Sequence, residues 1–250
     1  MREQRVAIVT GGARGIGLAV ARALAKDGLA VAIGDVDEAE ARAAAEAIRG
    51  AGGQAISRRT DVTVAADARA LVDAALSEFG RLDCAVNNAG INLPAAPMLE
   101  IDDDAWDRLF AVNVTGVRNC MRAELVHMLG AGKGAIVNMS STLGLVGGRN
   151  CAPYVASKHA IMGITRAAAL DYAKAGIRIN AVCPGPVRTH MADVFLQGNQ
   201  ALFEEVRAAM PIGRFIETDE VAAAAVWLCS SASSGIFGQA VTIDGAWTAV

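Results

Sequence analysis

Cysteine and histidine are scarce in this chain, and neither is arranged to bind a metal. The five cysteines are odd in number, widely scattered and never paired as Cys-x-x-Cys, which argues against a disulfide framework and against a zinc site. The three histidines, His127, His159 and His190, also lie outside metal-ligand spacing. We therefore expect a protein without a metal centre.

Long apolar runs and clusters of basic residues are missing as well. The longest apolar run, Val221–Cys229, is well short of the roughly 20 residues of a membrane span. The N-terminal segment turns polar too soon to contain a signal-peptide core. With 23 basic and 26 acidic residues, the net charge is −3 and no Lys/Arg cluster suits nucleic acid or an anionic membrane. These absences predict a soluble, cytoplasmic protein whose partner is a small molecule.

What the chain does contain is an alternation of short β-branched runs with longer helical stretches. This pattern is typical of βαβ units on a parallel sheet, and the 250 residues, 53% of them hydrophobic, suit one large core. We predict an α/β fold with a doubly wound parallel sheet of about seven strands, helices on both faces, and one domain over residues 1–250. The predicted strands are Arg5–Thr10, Ala30–Asp35, Gln54–Arg59, Leu82–Asn87, Ala135–Met139, Arg178–Val182 and Ala240–Ile243.

The helical stretches are bounded by recognisable start signals. Thr63 is predicted to cap the third helix, and Thr218, followed by two acids, is predicted to cap the last. Residues 188–216 are predicted to form an irregular insert. The predicted helices are Ile16–Asp27, Glu38–Ala51, Ala65–Phe79, Asp103–Leu129, Pro153–Ala175 and Asp219–Ser230.

A glycine-rich segment, Thr-Gly-Gly-Ala-Arg-Gly-Ile-Gly over residues 10–17, follows the first predicted strand and precedes an apolar helix. Glycine permits a tight turn and lets backbone N–H groups approach a pyrophosphate at the helix N-terminus. Such a turn alone is also compatible with a structural role, but its position between strand and helix favours a dinucleotide site. The residues assigned to that site are Gly11, Arg14, Gly15, Ile16 and Gly17.

Asp35 ends the second predicted strand, where a carboxylate can accept hydrogen bonds from the adenosine ribose. A carboxylate at this point also repels the additional phosphate of NADP. Arg14, in the glycine-rich segment, could instead pair with that phosphate. Because Asp35 lies where the ribose is expected, we predict that the cofactor is NAD.

Tyr154 and Lys158 lie four residues apart, on one face of a predicted helix. Proton acceptance by a tyrosine near neutral pH requires its pKa to fall by about 3 from about 10, which corresponds to about 4 kcal/mol. One cation about 4 Å away, at an effective dielectric near 20, supplies about that much. An oxidised nicotinamide adds a second positive charge. Such a pair is common by chance, so taken alone it favours an exposed helix pair over a catalytic one.

The order and spacing of these motifs resemble the short-chain dehydrogenase/reductase family, from about Arg5 to the C-terminus. The resemblance implies a Rossmann-type fold, a nicotinamide cofactor, and an oxidoreductase that interconverts a secondary alcohol and its ketone. The motifs that carry it are Thr10–Gly17, Asp61-Val62, Asn87–Gly90, Asn113, Ser141, Tyr154 with Lys158, and Pro184–Thr189.

The resemblance also implies catalytic roles. Tyr154 would be the general acid/base, and Lys158 would lower its pKa and bind the nicotinamide ribose. Ser141, 13 residues before the tyrosine, would orient the substrate oxygen, which leaves Ser140 a structural role. Asn113 would hold a water that links Lys158 to solvent.

Further residues are implied to surround the dinucleotide. Asn87 would brace the sheet instead of contacting the cofactor. The adenine and adenosine contacts implied are Asp61, Val62, Asn88, Ala89 and Gly90. At the nicotinamide end the segment implied is Pro184, Gly185, Val187 and Thr189, of which Val187 and Thr189 would bind the carboxamide.

One departure from the family pattern lies near the C-terminus, where Asp244-Gly245-Ala246 replaces the usual Asp-Gly-Gly. Ala246 requires ordinary backbone angles where glycine would not. We therefore expect the last loop to differ from the family.

Mostly apolar segments are expected to shape the substrate pocket: Leu93–Leu99, Leu143–Cys151, His190–Phe203 and the stretch around Trp247. Without clustered Arg or Lys, they offer no obvious clamp for a phosphate or carboxylate. We hypothesise a neutral, hydrophobic secondary alcohol or ketone, cyclic or aryl. Resemblance to family members that act on cyclic alcohols points the same way.

Other readings remain open. A 3-oxoacyl-carrier-protein reductase using NADPH shares every motif, and a polyol dehydrogenase is a further alternative. A catalytically silent dinucleotide-sensing protein is a more remote one, since it would be free to lose the catalytic residues. By analogy with the family, Asp103–Leu129 and Pro153–Ala175 are expected to pair between subunits in a homotetramer or dimer.

Overall fold

A computed structural model describes residues 4–196 and 198–249 of the protein. Seven strands, all paired in parallel, form one sheet in the order β3-β2-β1-β4-β5-β6-β7. The chain reverses its direction of winding between β1 and β4, which is where doubly wound sheets bind ligands. The strands are β1 Val6–Thr10, β2 Ala30–Asp35, β3 Gln54–Arg59, β4 Cys84–Asn87, β5 Gly134–Met139, β6 Ile177–Pro184 and β7 Ala240–Ile243.

Helices cover both faces of this sheet. Helices α1, α2 and α9 bury apolar residues against one face, and α3, α5 and α6 against the other. None of the helices in the described ranges combines the length and apolar character needed to cross a bilayer. The helices are α1 Gly15–Lys26, α2 Glu38–Gly50, α3 Ala65–Phe79, α4 Asp103–Phe110, α5 Val117–Ala131, α6 Ala152–Tyr172, α7 His190–Leu196, α8 Gln200–Ala209 and α9 Thr218–Cys229.

The predicted fold class is confirmed, and β2, β3 and β7 match their predicted bounds to the residue. These strands are short, and β2 is buried along its whole length because helices pack on both sides of it. Close packing extends to the backbone at Gly34, where a Cβ atom would lie 2.5 Å from Leu71 Cδ2 of α3. The sheet therefore brings the carboxyl ends of β1, β2, β4, β5 and β6 to one edge.

One predicted helix, Asp103–Leu129, is divided in the structure. Six residues, Ala111–Gly116, form a π-helical turn between α4 and α5. Gly116 packs so tightly that a Cβ atom there would lie 2.6 Å from Val62 Cγ2. The prediction of one continuous helix was wrong because this local widening depends on contacts with distant segments. Such π turns are frequent at functional sites.

Two predicted caps and the predicted insert also need correction. Thr63 does not cap α3, since its N–H and hydroxyl both donate to Asp61 Oδ1 and the N-cap position is Val64. Helix α9 begins with a capping box between Glu217 and Glu220, so Thr218 is already helical. Residues 188–216 contain α7 and α8 and are not irregular throughout.

The last loop does not behave as predicted. Ala246 adopts a left-handed backbone conformation, with φ of 70°, which glycine normally occupies. Asp244 holds the turn, because its carboxylate accepts hydrogen bonds from the N–H groups of Ala246 and Thr248 at 3.1 and 3.0 Å. The expectation that alanine would take ordinary angles there was wrong, since these contacts outweigh the local preference.

A buried polar chain crosses the sheet beneath the carboxyl edge. Asn87 Nδ2 donates to Asn138 Oδ1 and to Glu124 Oε2, each at 3.1 Å, and Asn138 Nδ2 donates to Thr165 Oγ1 at 3.0 Å. Asn87 therefore braces the sheet, as predicted. Asn87 Oδ1 is a buried acceptor without a hydrogen-bond donor within the described ranges. Burial raises the pKa of Glu124 to about 8, so this carboxyl is protonated at neutral pH.

This raised pKa predicts a pH-dependent stability. Between pH 4.5 and about 8 the folded chain retains the Glu124 proton that the unfolded chain has lost, so the free energy of unfolding decreases as pH rises. The slope contributed by this group is at most about 1.4 kcal/mol per pH unit. We expect Glu124→Gln, which is neutral at every pH, to flatten the dependence in urea unfolding between pH 5 and 7.5.

Glu78→Gln, an exposed acid on α3, is the matched control and should keep the wild-type dependence. Equal slopes for wild type and Glu124→Gln would mean that Glu124 is ionised in the folded protein at neutral pH.

Candidate active site

Tyr154 and Lys158 lie in the first two turns of α6, next to the carboxyl edge of the sheet. Lys158 Nζ lies 5.3 Å from the centroid of the Tyr154 ring. The ammonium group is buried and donates to the carbonyl of Met139, at the end of β5, over 2.9 Å. A buried cation is thus fixed beside the tyrosine by a backbone carbonyl of the sheet.

Two neighbouring serines after β5 have different partners. Ser141 Oγ donates to the carbonyl of Pro184 at 3.5 Å and accepts from the N–H of Leu143 at 3.1 Å, and its proximity lowers the pKa of Tyr154. Ser140 Oγ donates to the carbonyl of Lys158 at 3.1 Å. Ser141 therefore lies beside Tyr154, and Ser140 ties the loop to the backbone of α6.

Burial dominates the electrostatics of this cluster. Tyr154 keeps some solvent access, yet burial raises its pKa to about 12, and the hydrogen bond from Ser141 lowers it only in part. Burial also lowers the pKa of Lys158 to about 8. The chain's own groups therefore leave Tyr154 protonated at neutral pH, and further positive charge is needed before it can accept a proton.

Asn113 lies inside the π-helical turn and is 1% exposed. Its Oδ1 accepts from the N–H of Ile91 at 2.8 Å, and its Nδ2 donates to the Ile91 carbonyl at 2.9 Å and to Ser157 Oγ at 3.2 Å. Both amide protons are therefore committed to this chain. Any water held by this side chain must therefore donate to Oδ1. Gly90 lies beside this oxygen, since a Cβ atom on Gly90 would be 3.2 Å from it.

The glycine-rich loop between β1 and α1 has a backbone shape suited to a pyrophosphate. Gly11 and Gly15 have φ values of 63° and 55°. A Cβ atom on Gly17 would lie 2.0 Å from the carbonyl oxygen of Gly11, so no side chain fits there. Arg14 occupies the N-cap position of α1 without a side-chain capping bond. The first N–H groups of α1, from Gly15 and Ile16, are therefore suited to an anion.

Asp35 lies at the end of β2, directly against this loop. Its carboxylate is 8% exposed and accepts from the N–H groups of Ala13 and Asp37 at 3.0 and 3.1 Å. Arg14, in contrast, is exposed. A buried acid and an exposed base thus flank the place where the adenosine ribose of a dinucleotide would lie.

The segment after β4 supports the glycine-rich loop. Asn88 Nδ2 donates to the carbonyls of Thr10 and Gly11 at 3.1 and 2.9 Å, so this side chain holds the loop. Thr10 Oγ1 accepts from the N–H groups of Asn88 and Ala89 at 3.1 and 3.2 Å. The bracing role of Thr10 was not predicted, although this residue opens the glycine motif.

A second supporting residue was also missed. Asn119, on α5, donates to the carbonyls of Val62 and Thr63 at 3.0 and 3.2 Å, and it is 5% exposed. These bonds fix the segment that follows Asp61 against α5. Only a long-range contact reveals the role of Asn119, and no local sequence signal marks it.

At the opposite end of the cleft, the segment after β6 turns towards the glycine-rich loop. Pro184 ends β6. Gly185 packs so closely against Asp244 that a Cβ atom on Gly185 would lie 3.0 Å from the Asp244 Cα atom. Val187 forms a parallel bridge with Ile216. A Cβ atom on Gly15 would lie 3.7 Å from Thr189 Cγ2. The predicted nicotinamide segment therefore lies beside the start of α1.

Backbone hydrogen bonds join the predicted pocket segments. The N–H of Ala95 donates to the carbonyl of Phe195 in α7 at 3.3 Å, and the N–H of Ala96 donates to the carbonyl of Asn150 at 2.9 Å. Cys151, which is 6% exposed, directly follows Asn150 and precedes the first turn of α6, where Tyr154 lies. The three segments thus surround one side of the Tyr154 cluster.

Comparison with known proteins agrees with this geometry. A family model described as enoyl-(acyl carrier protein) reductase, of the short-chain dehydrogenase/reductase type, matches residues 11–248. A cis-4-hydroxycyclohexanecarboxylate dehydrogenase of Sinomonas cyclohexanicum is 47% identical over 251 residues, covering 99% of this chain and 98% of that protein.

Two solved structures share the fold closely. An actinorhodin polyketide ketoreductase with NADPH has a TM-score of 0.94 and 36% identity, covering 99% of this chain and 98% of that one. A 3-ketoacyl-(acyl-carrier-protein) reductase from Brucella melitensis complexed with NADH has a TM-score of 0.92 and 34% identity, covering 99% and 100%. With its sheet topology, its glycine-rich loop and its buried Tyr154 cluster, this chain belongs to the short-chain dehydrogenase/reductase family and is an oxidoreductase that acts on CH–OH groups.

Proposed function

We propose that this chain is an NAD(H)-linked dehydrogenase that interconverts a neutral cyclic secondary alcohol and its ketone, with residues 1–250 acting as one dinucleotide-binding and catalytic unit. The observation that carries the proposal is the grouping of Tyr154, Ser141 and a buried Lys158 at the sheet edge, beside the glycine-rich loop. The bound dinucleotide supplies the hydride acceptor for oxidation and the donor for reduction.

In alcohol oxidation Tyr154 accepts the hydroxyl proton while hydride leaves the carbinol carbon. Ser141, which is close enough to Tyr154 to lower its pKa, is placed to hold the same oxygen and so to orient it. In ketone reduction the protonated Tyr154 donates its proton to the oxygen. The chain therefore supplies placement and proton transfer.

The electrostatics require help to reach a working pKa. Burial holds the pKa of Tyr154 at about 12. The Lys158 ammonium, 5.3 Å from the ring centroid, and a positively charged nicotinamide both favour the phenolate. Oxidation should accordingly become faster, and reduction slower, as pH rises towards about 8, above which Lys158 loses the charge that favours the phenolate.

The choice of NAD rests on Asp35. Its carboxylate is buried and fixed by two backbone N–H groups, so it is held in one orientation at the predicted ribose position. An additional phosphate there would face this charge, while the ribose hydroxyls of NAD can donate to it. Arg14 could pair with that phosphate instead, but its side chain is exposed to solvent.

The substrate proposal rests on the apolar character of the segments that surround the Tyr154 cluster. Leu143 and Leu145 are partly buried beside Ser141, and Phe195 is joined to the loop after β4 through its carbonyl. The relative from Sinomonas cyclohexanicum is named for a hydroxylated cyclohexane ring, which supports a cyclic substrate. Its ring also carries a carboxylate, and Arg149 is the one cation within Leu143–Cys151.

We also propose a homotetramer or dimer built on α5 and α6. Large apolar side chains stand exposed on these helices: Val126 is 76% exposed, Leu129 44% and Leu170 83%. A groove of 580 Å³ between α3 and α5 continues this surface. Exposed apolar area of this kind is typical of association surfaces.

The function is tested by following reduced nicotinamide with a panel of alcohols, with NAD and NADP in parallel at mildly alkaline pH. We expect cyclohexanol-like alcohols to react fastest, because the pocket segments are apolar. Tyr154→Phe should lose about 10²- to 10⁴-fold in kcat, whereas Tyr172→Phe, the other tyrosine, should keep the rate.

Other arms of the same panel decide between the alternatives. Faster turnover of polyols would overturn the cyclic-alcohol proposal, and turnover of acetoacetyl thioesters with NADPH would favour the acyl-reductase alternative. A preference for the carboxylated ring would overturn the neutral substrate and point to Arg149. Dinucleotide binding without turnover of any substrate would favour the silent sensor.

The cofactor choice is tested with Asp35→Ala. Removing the fixed carboxylate should lower the ratio of kcat/KM with NAD to kcat/KM with NADP by about tenfold or more, because one close charge contact is worth at least about 1.4 kcal/mol. Glu38→Ala, an exposed acid three residues later, should leave the ratio unchanged. An unchanged ratio in Asp35→Ala would remove the basis for proposing NAD.

Association is tested by light scattering. We expect a mass of two or four chains for wild type and a smaller assembly for the double variant Val126→Arg and Leu170→Arg, since charges would replace exposed apolar contacts. Val64→Arg, an exposed valine outside α5 and α6, serves as control and should keep the wild-type mass. A single-chain mass for wild type would refute the assembly.

A further inference from the structure

Ser157 is buried in the catalytic helix between Tyr154 and Lys158, and it is 0% exposed. Its Oγ donates to the carbonyl of Tyr154 at 2.8 Å and accepts from Asn113 Nδ2 at 3.2 Å. The hydroxyl therefore uses both its donor and one acceptor position within the protein. It is the direct link between the amide of Asn113 and the backbone of Tyr154.

The link continues from Asn113 to the cofactor side. The amide of Asn113 forms a two-way pair with the backbone of Ile91, which directly follows the loop residue Gly90. One continuous chain of hydrogen bonds thus runs from the loop after β4, through the π-helical turn, to the first turn of α6. Asn113 and Ser157, in the middle of it, are buried, so water cannot substitute for the bond between them without reorganisation.

We propose that Ser157 is a positioning residue, which acts through Asn113 to hold the first turn of α6, and with it the Tyr154 hydroxyl, in register with the loop at Gly90 and Ile91. This inference rests on the proposed function only in taking Tyr154 as the proton-transferring group. Ser157 itself contacts neither the tyrosine hydroxyl nor Lys158 Nζ in any hydrogen bond described. Its effect is exerted through geometry.

The same helix offers a closely matched control. Thr165, two turns after Ser157, is also 0% exposed, and its hydroxyl also accepts from a buried asparagine, Asn138 Nδ2, at 3.0 Å. Thr165 belongs to the chain that braces the sheet and has no link to Asn113 among the described contacts. Ser157→Ala and Thr165→Val therefore each remove one buried hydroxyl from α6, and only the first removes the link to Asn113.

The kinetic test compares these variants and a double-mutant cycle with cyclohexanol and NAD. We expect Ser157→Ala to lower kcat about tenfold, the effect of one lost buried hydrogen bond, and to change NADH dissociation less than about twofold. Thr165→Val should leave kcat within about twofold of wild type. Asn113→Ala with Ser157→Ala should lose no more than Asn113→Ala alone, because the two residues act in series.

A second readout does not depend on the substrate. The chain has two tyrosines, Tyr154 and Tyr172, so ¹³Cζ-tyrosine labelling gives two signals, which Tyr172→Phe assigns. In the complex with NADH, Ser157→Ala should shift the Tyr154 signal and its pH titration, whereas Thr165→Val should leave both unchanged. Melting temperatures measured in parallel identify any variant that is not folded.

The outcomes separate this inference from the proposed function. Additive losses in the cycle, equal losses in Ser157→Ala and Thr165→Val, or an unchanged Tyr154 signal in Ser157→Ala would each overturn the positioning role. If wild type fails to oxidise cyclohexanol, the proposed substrate is wrong and the Tyr154 signal alone decides the role of Ser157.

Discussion

The buried ammonium of Lys158 is the constraint on which the catalytic edge depends. A cation removed from water requires compensation, and the carbonyl of Met139 at the end of β5 provides it at 2.9 Å. Helix α6 must therefore approach the sheet closely, which is possible because position 144 is glycine: a Cβ atom there would lie 2.7 Å from the Lys158 carbonyl. Ser140 secures the same carbonyl. Tyr154 and Ser141 then meet as a consequence of this packing.

A second consequence is that polar side chains must cross the core and be satisfied there. Two such chains exist, one through Glu124, Asn87 and Asn138, and one through Ile91, Asn113 and Ser157. The first joins β4 to α5, β5 and Thr165 of α6, and the second joins the segment after β4 to the first turn of α6. Because a buried polar group that loses its partner is costly, the chain through Asn113 and Ser157 fixes the first turn of α6 against the loop after β4, whereas the chain through Asn87 and Asn138 braces the sheet.

The sequence predicted the fold class, the strands and the grouping of Tyr154, Lys158 and Ser141, because periodicity and motif spacing are local signals. It did not predict the π-helical turn, which depends on Gly116 meeting Val62, or Ser157, whose partner Asn113 lies far away in the chain. Ala246 is a case in which contacts within the fold override a local backbone preference. Its own preference was read correctly, and the bonds made by Asp244 overrode it.

The proposal of NAD depends on where the charges of Asp35 and Arg14 lie. Two unit charges about 4 Å apart interact by about 1 kcal/mol in water and about 4 kcal/mol at an effective dielectric near 20. Asp35 is 8% exposed and held by two N–H groups, so its field acts at the larger value on any group beside it. Arg14 is exposed, and its attraction for a phosphate is screened by solvent and salt. Position, more than the number of charges, therefore favours the cofactor without the additional phosphate.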